Sequence, residues 1–373
     1  MSDPTHPWYE VAEIDIIPTP CVLVYPDRIE ANIRRMIQAV KDVHQLRPHV
    51  KTHKMPPIVQ MQLAAGIHRF KTATIGEAEM TAAAGANDVL VAYPMVGPNI
   101  GRFVELKHQF PDCRFSCLVD DSQSLHRLND AAIDGGQTVG VFIDVDVGMH
   151  RSGLLPSEIF SFADRLPSLS GIRLLGLHAY DGHIHGESGP SLDAAIRSCF
   201  SDVFDAFTIL NSRFPGPLKL IAGGTPTSFR LSELSPVQVE VGAGTTLLWD
   251  GGQDHLSPGM DFEVAAMVVC RIISRPGADR LCVDLGHKAV ASEMPTPRVS
   301  FPQLPNAQCT LHSEEHLVIQ SPSANRFSVG DVLYGIPRHI CPTIALHPQV
   351  GVVQQNHLVD QWVVAGRDRQ ITI

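Results

Sequence analysis

The sequence predicts an α/β protein, a (β/α)8 TIM-type barrel followed by a C-terminal β-rich domain. Three observations predict it. From Leu46 to Val241, apolar or β-branched runs alternate with helical runs about eight times. Alternation of that length is the pattern of a closed parallel barrel. After about Trp249 the long helical runs stop, and β-like runs with Pro/Gly turns take over. An open, doubly wound sheet is the alternative, but the Gly-rich dinucleotide turn it usually carries after its first strand is missing.

The elements follow in order. Ile17–Tyr25 reads as a strand, and a helix follows from about Asp27, with Ile29, Ile33, Met36, Ile37 and Val40 on one face. Leu46–Lys54 is a strand ending in a burst of polar groups. Met55–Ala65 is a helix ended by Gly66. The strands His68–Thr72, Val89–Ala92, Phe115–Val119, Thr138–Val145, Ile172–His178, Leu218–Ala222 and Gln238–Val241 complete the barrel pattern. Between them lie helices at Ile75–Ala84, Gly97–Phe110, Ser122–Ala132, Pro156–Leu166 and Leu192–Phe214. Beyond a boundary near residues 250–262, Phe262–Ile273, Leu281–Val283, His316–Ile319, Asp331–Tyr334, Ile344–His347, Val350–Gln354 and Leu358–Val364 are β-like.

Composition narrows the function. The 373 residues suit a barrel of typically ~250 residues plus an extension. A net charge of -10 with no basic run argues against a nucleic-acid partner. Met1–Glu10 is polar and lacks an apolar signal core, and no apolar run approaches the ~20 residues that span a membrane. The eight cysteines are scattered, as expected of free thiols in a reducing cytoplasm.

Several stretches carry chemistry. Leu46–Lys54 contains Arg47, His49, Lys51, His53 and Lys54, which cannot all be buried without partners. A lysine at the carboxyl end of a barrel strand can form a Schiff base with a carbonyl cofactor, above all pyridoxal phosphate. In Ile143–Gly153, the planar fork of Arg151 suits an oxyanion or phenolate; alternatively it pairs with Asp144 or Asp146. Gly176–Gly186 packs His178, Tyr180, Asp181, His183 and His185 into a strand-end loop. Gly223, Gly224 and Thr225 follow the seventh strand, and Gly242, Gly244 and Thr245 the eighth, where such barrels commonly hold phosphate. In an extended segment His339 and Cys341 would face the same way, and imidazole plus thiolate suits Zn²⁺; alternatively Cys341 is a buried cysteine beside an unrelated histidine, the commoner case for an isolated pair.

Together these motifs resemble the metal-activated fold type III pyridoxal enzymes, the D-threonine aldolase and eukaryotic-type D-serine dehydratase family, with an alanine racemase-like barrel. The most specific pieces are Arg47–Lys54 and Pro337–Pro342. The resemblance implies that Lys51, not Lys54, carries the cofactor beside His49. It places Arg151 and Tyr180 at the cofactor and the two Gly-Thr loops at its phosphate. It makes His339 and Cys341 the ligands of a divalent metal (Mn²⁺, Zn²⁺ or Mg²⁺). It also implies that residues 1–25 hold a strand joining the C-terminal domain, that 26–255 form the barrel and 256–373 the metal-carrying domain, and that the protein is a homodimer.

The implied reaction is retro-aldol cleavage of a D-β-hydroxy-α-amino acid to glycine and an aldehyde, with His53, His183 or His185 moving the proton. The alternative is dehydration of D-serine or D-3-hydroxyaspartate to a keto acid and ammonia. Cys341 leans toward this reading, since aspartate is more usual there in aldolases. An amino-acid racemase would need a second base, for which Tyr334 is the candidate in the C-terminal domain.

Overall fold

The computed structural model describes residues 7–373. Met1–His6, the start of the predicted N-terminal segment, lie outside the described residues. The chain enters through strand β1 (Cys21–Val24) and helix α1 (Pro26–Gln38). Proline at the first helical turn loses no hydrogen bond there. Ile29, Ile33 and Met36 form the buried stripe of α1.

The barrel strands then alternate with helices: α2 (Pro56–Ala64), β2 (Arg69–Thr72), α3 (Ile75–Ala83), β3 (Asp88–Pro94), α4 (Asn99–Gln109), β4 (Arg114–Val119), α5 (Ser122–Asp134), β5 (Val139–Val145), α6 (Ile159–Ala163), β6 (Ile172–Ala179), α7 (Pro190–Arg213), β7 (Lys219–Ala222), α8 (Ser228–Leu234) and β8 (Val239–Val241). β2 to β8 form one parallel sheet in chain order.

The lysine stretch closes the ring. Leu46 bridges Val241 of β8, and His49 bridges Lys71 of β2, both in parallel. The Arg47 N–H donates to Val241 O (2.9 Å), and the Lys71 N–H to Pro48 O (2.9 Å). Pro48 has no N–H to give a ladder, so the segment pairs through isolated bridges. The predicted strand also stops early: Val50–Thr52 is a 3-10 turn rather than extended chain.

Alternation along the strands sorts two layers. Val89, Val91, Val119, Ile143 and Val145 belong to the main core, with Ile58, Phe103 and Phe200 of the helices. Leu90, Leu118, Phe142 and Ile221 form a separate apolar plug. Gly176 in β6 is required by its neighbour: a Cβ there would lie 1.8 Å from Lys219 O, and its φ is +147°.

A short helix, α9 (Gly251–Leu256), leads into the β domain. Its strands are β9 (Ala266–Gly277), β10 (Arg280–Val283), β11 (Val299–Ser300), β12 (Gln308–His312), β13 (Leu317–Gln320), β14 (Val332–Pro337), β15 (Gln349–Gln354) and β16 (His357–Val363). β1 lies between β9, to which it is antiparallel, and β15, to which it is parallel. The predicted β-like run Ile344–His347 is overturned: it falls at the end of helix α10 (Ile340–Leu346). Its alternation is too short to separate a strand from a helical turn. Among the described residues, no helix is long and apolar enough to cross a membrane.

Candidate active site

At the carboxyl end of the barrel strands lies a cavity of about 250 Å³. Its wall includes His49, Lys51, Thr52, Lys71, Tyr180, Gly224, Thr225, Gly242, Gly244, Thr245, Asp250, His339 and Cys341. The barrel and the β domain both contribute.

The lysine turn is built locally. The His49 imidazole caps it, its Nδ1 accepting from the Lys51 N–H at 3.3 Å. Burial, with Lys51, Lys71, Lys54 and His178 around it, holds the His49 imidazole far below its usual pKa, so the ring is neutral. Lys51 reaches into the cavity, its Nζ 5.7 Å from the centroid of the Tyr180 ring. Lys54 goes elsewhere. Its φ of +56° turns the chain. Its amine pairs with the fully buried Glu77 and reaches Gly366 O at 3.4 Å. Two lysines three residues apart thus have different tasks, one open to the cavity and one tied to the β domain's last turns.

Arg151 stacks on Tyr180, its guanidinium carbon 4.7 Å from the ring centroid. It pairs with neither candidate acid. Asp144 holds the His178 Nδ1 (2.7 Å) and the Ser152 hydroxyl (2.9 Å). Asp146 accepts from the backbone of Gly148 and His150.

The two Gly-Thr loops differ. Gly242 and Gly244 are tight: a Cβ would lie 2.8 Å from Lys71 Nζ at the first and 2.6 Å from His49 O at the second. The loop after β7 departs from expectation. Gly223 is not on the cavity wall. Its N–H is taken by Ala179 O (3.2 Å), and that of Gly224 by the Asp181 carboxylate (2.6 Å). Thr225 remains on the wall.

His339 and Cys341 meet, by a route other than the extended one. His339 is the N-cap of α10, and Cys341 lies in its first turn. The Cys341 thiol donates to Thr52 Oγ1 (3.2 Å) and lies 3.6 Å from Thr245 Oγ1, beside the lysine turn. Burial opposes its ionisation, but the His339 ring bonded to it outweighs burial and lowers the thiol's pKa. Burial likewise opposes charge on His339, yet Cys341, Glu293 and Asp250 lift it to about 9. The His339 Nδ1 is held by the Glu293 carboxylate. Among the described residues no group of three or more His, Cys, Asp or Glu is gathered as a metal cage.

Three predicted acid–base histidines are not brought to the cavity wall. His53 is wholly buried, and its Nδ1 accepts from the Met55 N–H at 3.1 Å. Burial, then Lys54, pushes its pKa down to about 3. His183 and His185 are exposed, His183 lying beside Gly148. Tyr334, the candidate racemase base, faces another way: its hydroxyl accepts from the Val11 N–H (3.2 Å), and its ring lies 5.2 Å from that of Tyr9.

Sequence reasoning missed Lys71, Asp250 and Glu293. Lys71 shares the inward face of its short strand with Arg69, so alternation alone did not single it out. Asp250 reads locally as a helix N-cap, accepting from the Gln253 N–H, and its bond to the Ile340 N–H far along the chain carried no sequence signal; nor did the bond of Glu293 to His339.

The cavity suits an anionic aldehyde cofactor. Lys51, Lys71 and Arg151 surround one tyrosine ring, and tight glycines and threonine hydroxyls line the same wall. Comparison with known proteins agrees. Residues 24–235, more than half of the chain, match the family described as "Alanine racemase, N-terminal domain". The chain belongs to that family, the fold type III pyridoxal phosphate enzymes.

Residues 265–353 match a second family, described as "Putative serine dehydratase domain". Over its full length this alanine racemase-family chain is similar to a D-threonine aldolase of Arthrobacter sp, 29% identical, covering 98% of this chain and 96% of the relative. It is also similar to the D-threo-3-hydroxyaspartate dehydratase of Delftia sp. (strain HT23), 27% identical over 92% of this chain and 96% of the relative. The crystal structure of D-threonine aldolase from Filomicrobium marinum superposes with a TM-score of 0.87, covering 95% of this chain and 96% of that one at 23% identity, which shows the fold.

Proposed function

We propose that the chain is a pyridoxal-phosphate- and divalent-metal-dependent lyase acting on D-β-hydroxy-α-amino acids, cleaving them to glycine and an aldehyde. One observation carries the reading: the Lys51 amine and the Cys341–His339 pair share a cavity wall. The full-length similarity to an aldolase supports it.

Bound through Lys51, pyridoxal phosphate supplies an electron sink for the bond broken at the substrate Cα, and the metal a Lewis acid for the β-oxygen. The protein does the rest. Lys51 would hold the cofactor, and its amine, on the cavity wall, would be placed to move a proton at Cα. His49 caps the turn that presents it. Arg151 and Tyr180, stacked on each other, would orient the cofactor. Thr225, Gly242, Gly244 and Thr245 line the place for the phosphate. His339 and Cys341 would hold the metal. In the cleavage, the Cα–Cβ bond breaks, the β-hydroxyl loses its proton, and Cα gains one.

The second reading is dehydration, in which Lys51 takes the Cα proton, the β-hydroxyl leaves as water, and water then hydrolyses the released imine to a keto acid and ammonia. The cavity thiol of Cys341 and the similarity to a dehydratase favour it. We further propose a cytoplasmic homodimer, as the family resemblance implies.

The test incubates the protein with pyridoxal phosphate, Mn²⁺ or Zn²⁺, and D-threonine, D-serine or D-3-hydroxyaspartate, and assays aldehyde, glycine, keto acid and ammonia together. Equal aldehyde and glycine is the expected result. Keto acid and ammonia would establish the second reading, and neither pair would overturn both. Lys51→Ala should abolish the near-visible absorbance of bound cofactor, and Lys54→Ala should keep it.

A further inference from the structure

Lys71 is an amine for which the mechanism above has no use. It lies in β2, 3% exposed, on the same cavity wall as Lys51. Both amines stand 5.7 Å from the centroid of the Tyr180 ring. A buried ammonium is costly, and a strand position that needed only bulk would take an apolar residue.

The structure instead holds this amine in place. The Lys71 Nζ is 3.3 Å from His178 Nε2, and His178 Nδ1 is 2.7 Å from Asp144 Oδ1. Asp144 is kept ionised: burial opposes its charge, but the His178 and Ser152 hydrogen bonds outweigh it. An ionised Asp144 fixes the proton of His178 on Nδ1, which leaves Nε2 as acceptor. Lys71 therefore donates one N–H to His178 and turns its remaining valences to the cavity. Gly242 gives it room, since a Cβ there would lie 2.8 Å from Nζ.

We propose that Lys71 is a cofactor-contacting residue, donating a hydrogen bond to an anionic oxygen of the bound pyridoxal phosphate, with His178 and Asp144 as positioning residues that hold its amine. The inference rests on the cofactor reading above. It accounts for three cations around one tyrosine ring. Lys51 is consumed in the covalent link, so Lys71 and Arg151 are left to face the ligand's negative charge. The groups around Lys71 set its behaviour: burial, Lys51 and Arg151 work against its charge, Asp144 and Asp181 for it, and its pKa falls to about 7. The amine can thus donate in either state, charged or neutral, at physiological pH.

Two ligand oxygens have this chemistry, the phosphate and the ring phenolate, and binding to the apoprotein separates them. Wild type, Lys71→Met, Lys71→Gln and His178→Gln are titrated with pyridoxal phosphate and with phosphate-free pyridoxal. Dissociation constants and the pH dependence of the bound cofactor's absorbance are read. The expected result is a tenfold or greater loss of pyridoxal phosphate affinity in both Lys71 variants, a smaller loss in His178→Gln, and a displaced absorbance midpoint. A loss confined to pyridoxal phosphate identifies the phosphate as the partner, and an equal loss for both ligands the phenolate. Wild-type affinity and an unmoved midpoint in a folded Lys71 variant, with the band still abolished by Lys51→Ala, would overturn the proposal alone. Absence of any Lys51-dependent band in wild type would overturn the cofactor reading itself. Lys71→Gln keeps a polar group in the strand, so the comparison stands if Lys71→Met does not fold.

Discussion

Replacing Glu293 by Gln tests how the metal pair is held. The Glu293 carboxylate binds His339 Nδ1, which leaves Nε2 for a metal. Such partners fix the tautomer and raise the ligand's basicity, and losing them typically costs 10–100-fold in metal affinity, or about 1.4–2.7 kcal/mol. Here the two side chains are 39% and 47% exposed, so water screens the contact and replaces part of it. The expected loss is therefore at the lower end, about tenfold. Glutamine keeps the shape and an acceptor oxygen but removes the charge. The assay is calorimetric titration of chelator-stripped protein with Mn²⁺ or Zn²⁺, alongside His339→Ala and Cys341→Ala. Unchanged affinity in Glu293→Gln, with binding gone in His339→Ala, would refute the orienting role. A loss as complete as that of His339→Ala would refute it differently, by making Glu293 a direct ligand.

Three further variants concern stability. Arg47 is 1% exposed and bonded to Glu240 (2.6 Å) and Asp88 (2.8 Å), so Arg47→Met should destabilise the protein in denaturant unfolding, but by less than the about 3–5 kcal/mol of a fully orphaned buried charge, because Glu240 keeps Arg69 and Lys219, and Asp88 keeps Arg114 and Lys219. Burial opposes the charge on Asp88 but Arg47 outweighs it, so its folded pKa lies below the unfolded value. Its contribution is present above the unfolded pKa and lost as pH falls toward the folded one, and Arg47→Met should flatten that acid limb. Lys54→Met should lower the melting temperature, because Glu77 is fully buried beneath it, while the cofactor absorbance persists. For Lys71, the folded pKa of about 7 lies below the reference 10.5, so the unfolded chain binds more protons between those values. Apoprotein stability should rise with pH through that window, and Lys71→Met should stabilise the apoprotein near neutrality and remove the slope.

The polar burst at 47–54 marked a strand end, but the residue pattern alone did not separate Lys51 from Lys54, which adjoins His53 and is tied to Glu77; the family resemblance pointed to Lys51. The clustering of polar groups and glycines where strands end marked Arg151, Tyr180 and the β8 loop as candidates, and the structure brings Tyr180, Gly242, Gly244 and Thr245 to the cavity wall with Arg151 stacked on Tyr180. What a sequence does not display is direction. His53 follows the lysine turn by one residue, and the turn sends it into the core. Gly223 and Gly224 have the look of anion binders, but Ala179 and Asp181 already occupy their N–H groups. His339 and Cys341 were correctly paired by spacing for the wrong geometric reason, since a helix start also brings them together.

The barrel interior explains why Lys71 in particular was hard to read. Residues two apart on a strand share a face, so every second residue of a barrel strand faces the interior. The lower level carries Arg47, Arg69, Asp88, Lys219 and Glu240, joined by ion pairs. Leu90, Leu118, Phe142 and Ile221 form the apolar plug. Two residues on from Arg47, Arg69, Phe142 and Glu240 come His49, Lys71, Asp144 and Gly242, and His178 is held by two of these. The alternation that marks Lys71 as inward-facing marks Arg69 as inward-facing too. Only register against neighbouring strands, Lys71 opposite Leu90 and Asp144 opposite His178, puts one lysine with the ligand wall and leaves its near neighbour in a structural ion pair. Because the plug belongs to the interior, Lys71 is shut off from bulk water on the strand side. Its charge is then set by the few groups it touches, which is the condition under which a ligand's negative oxygen matters most.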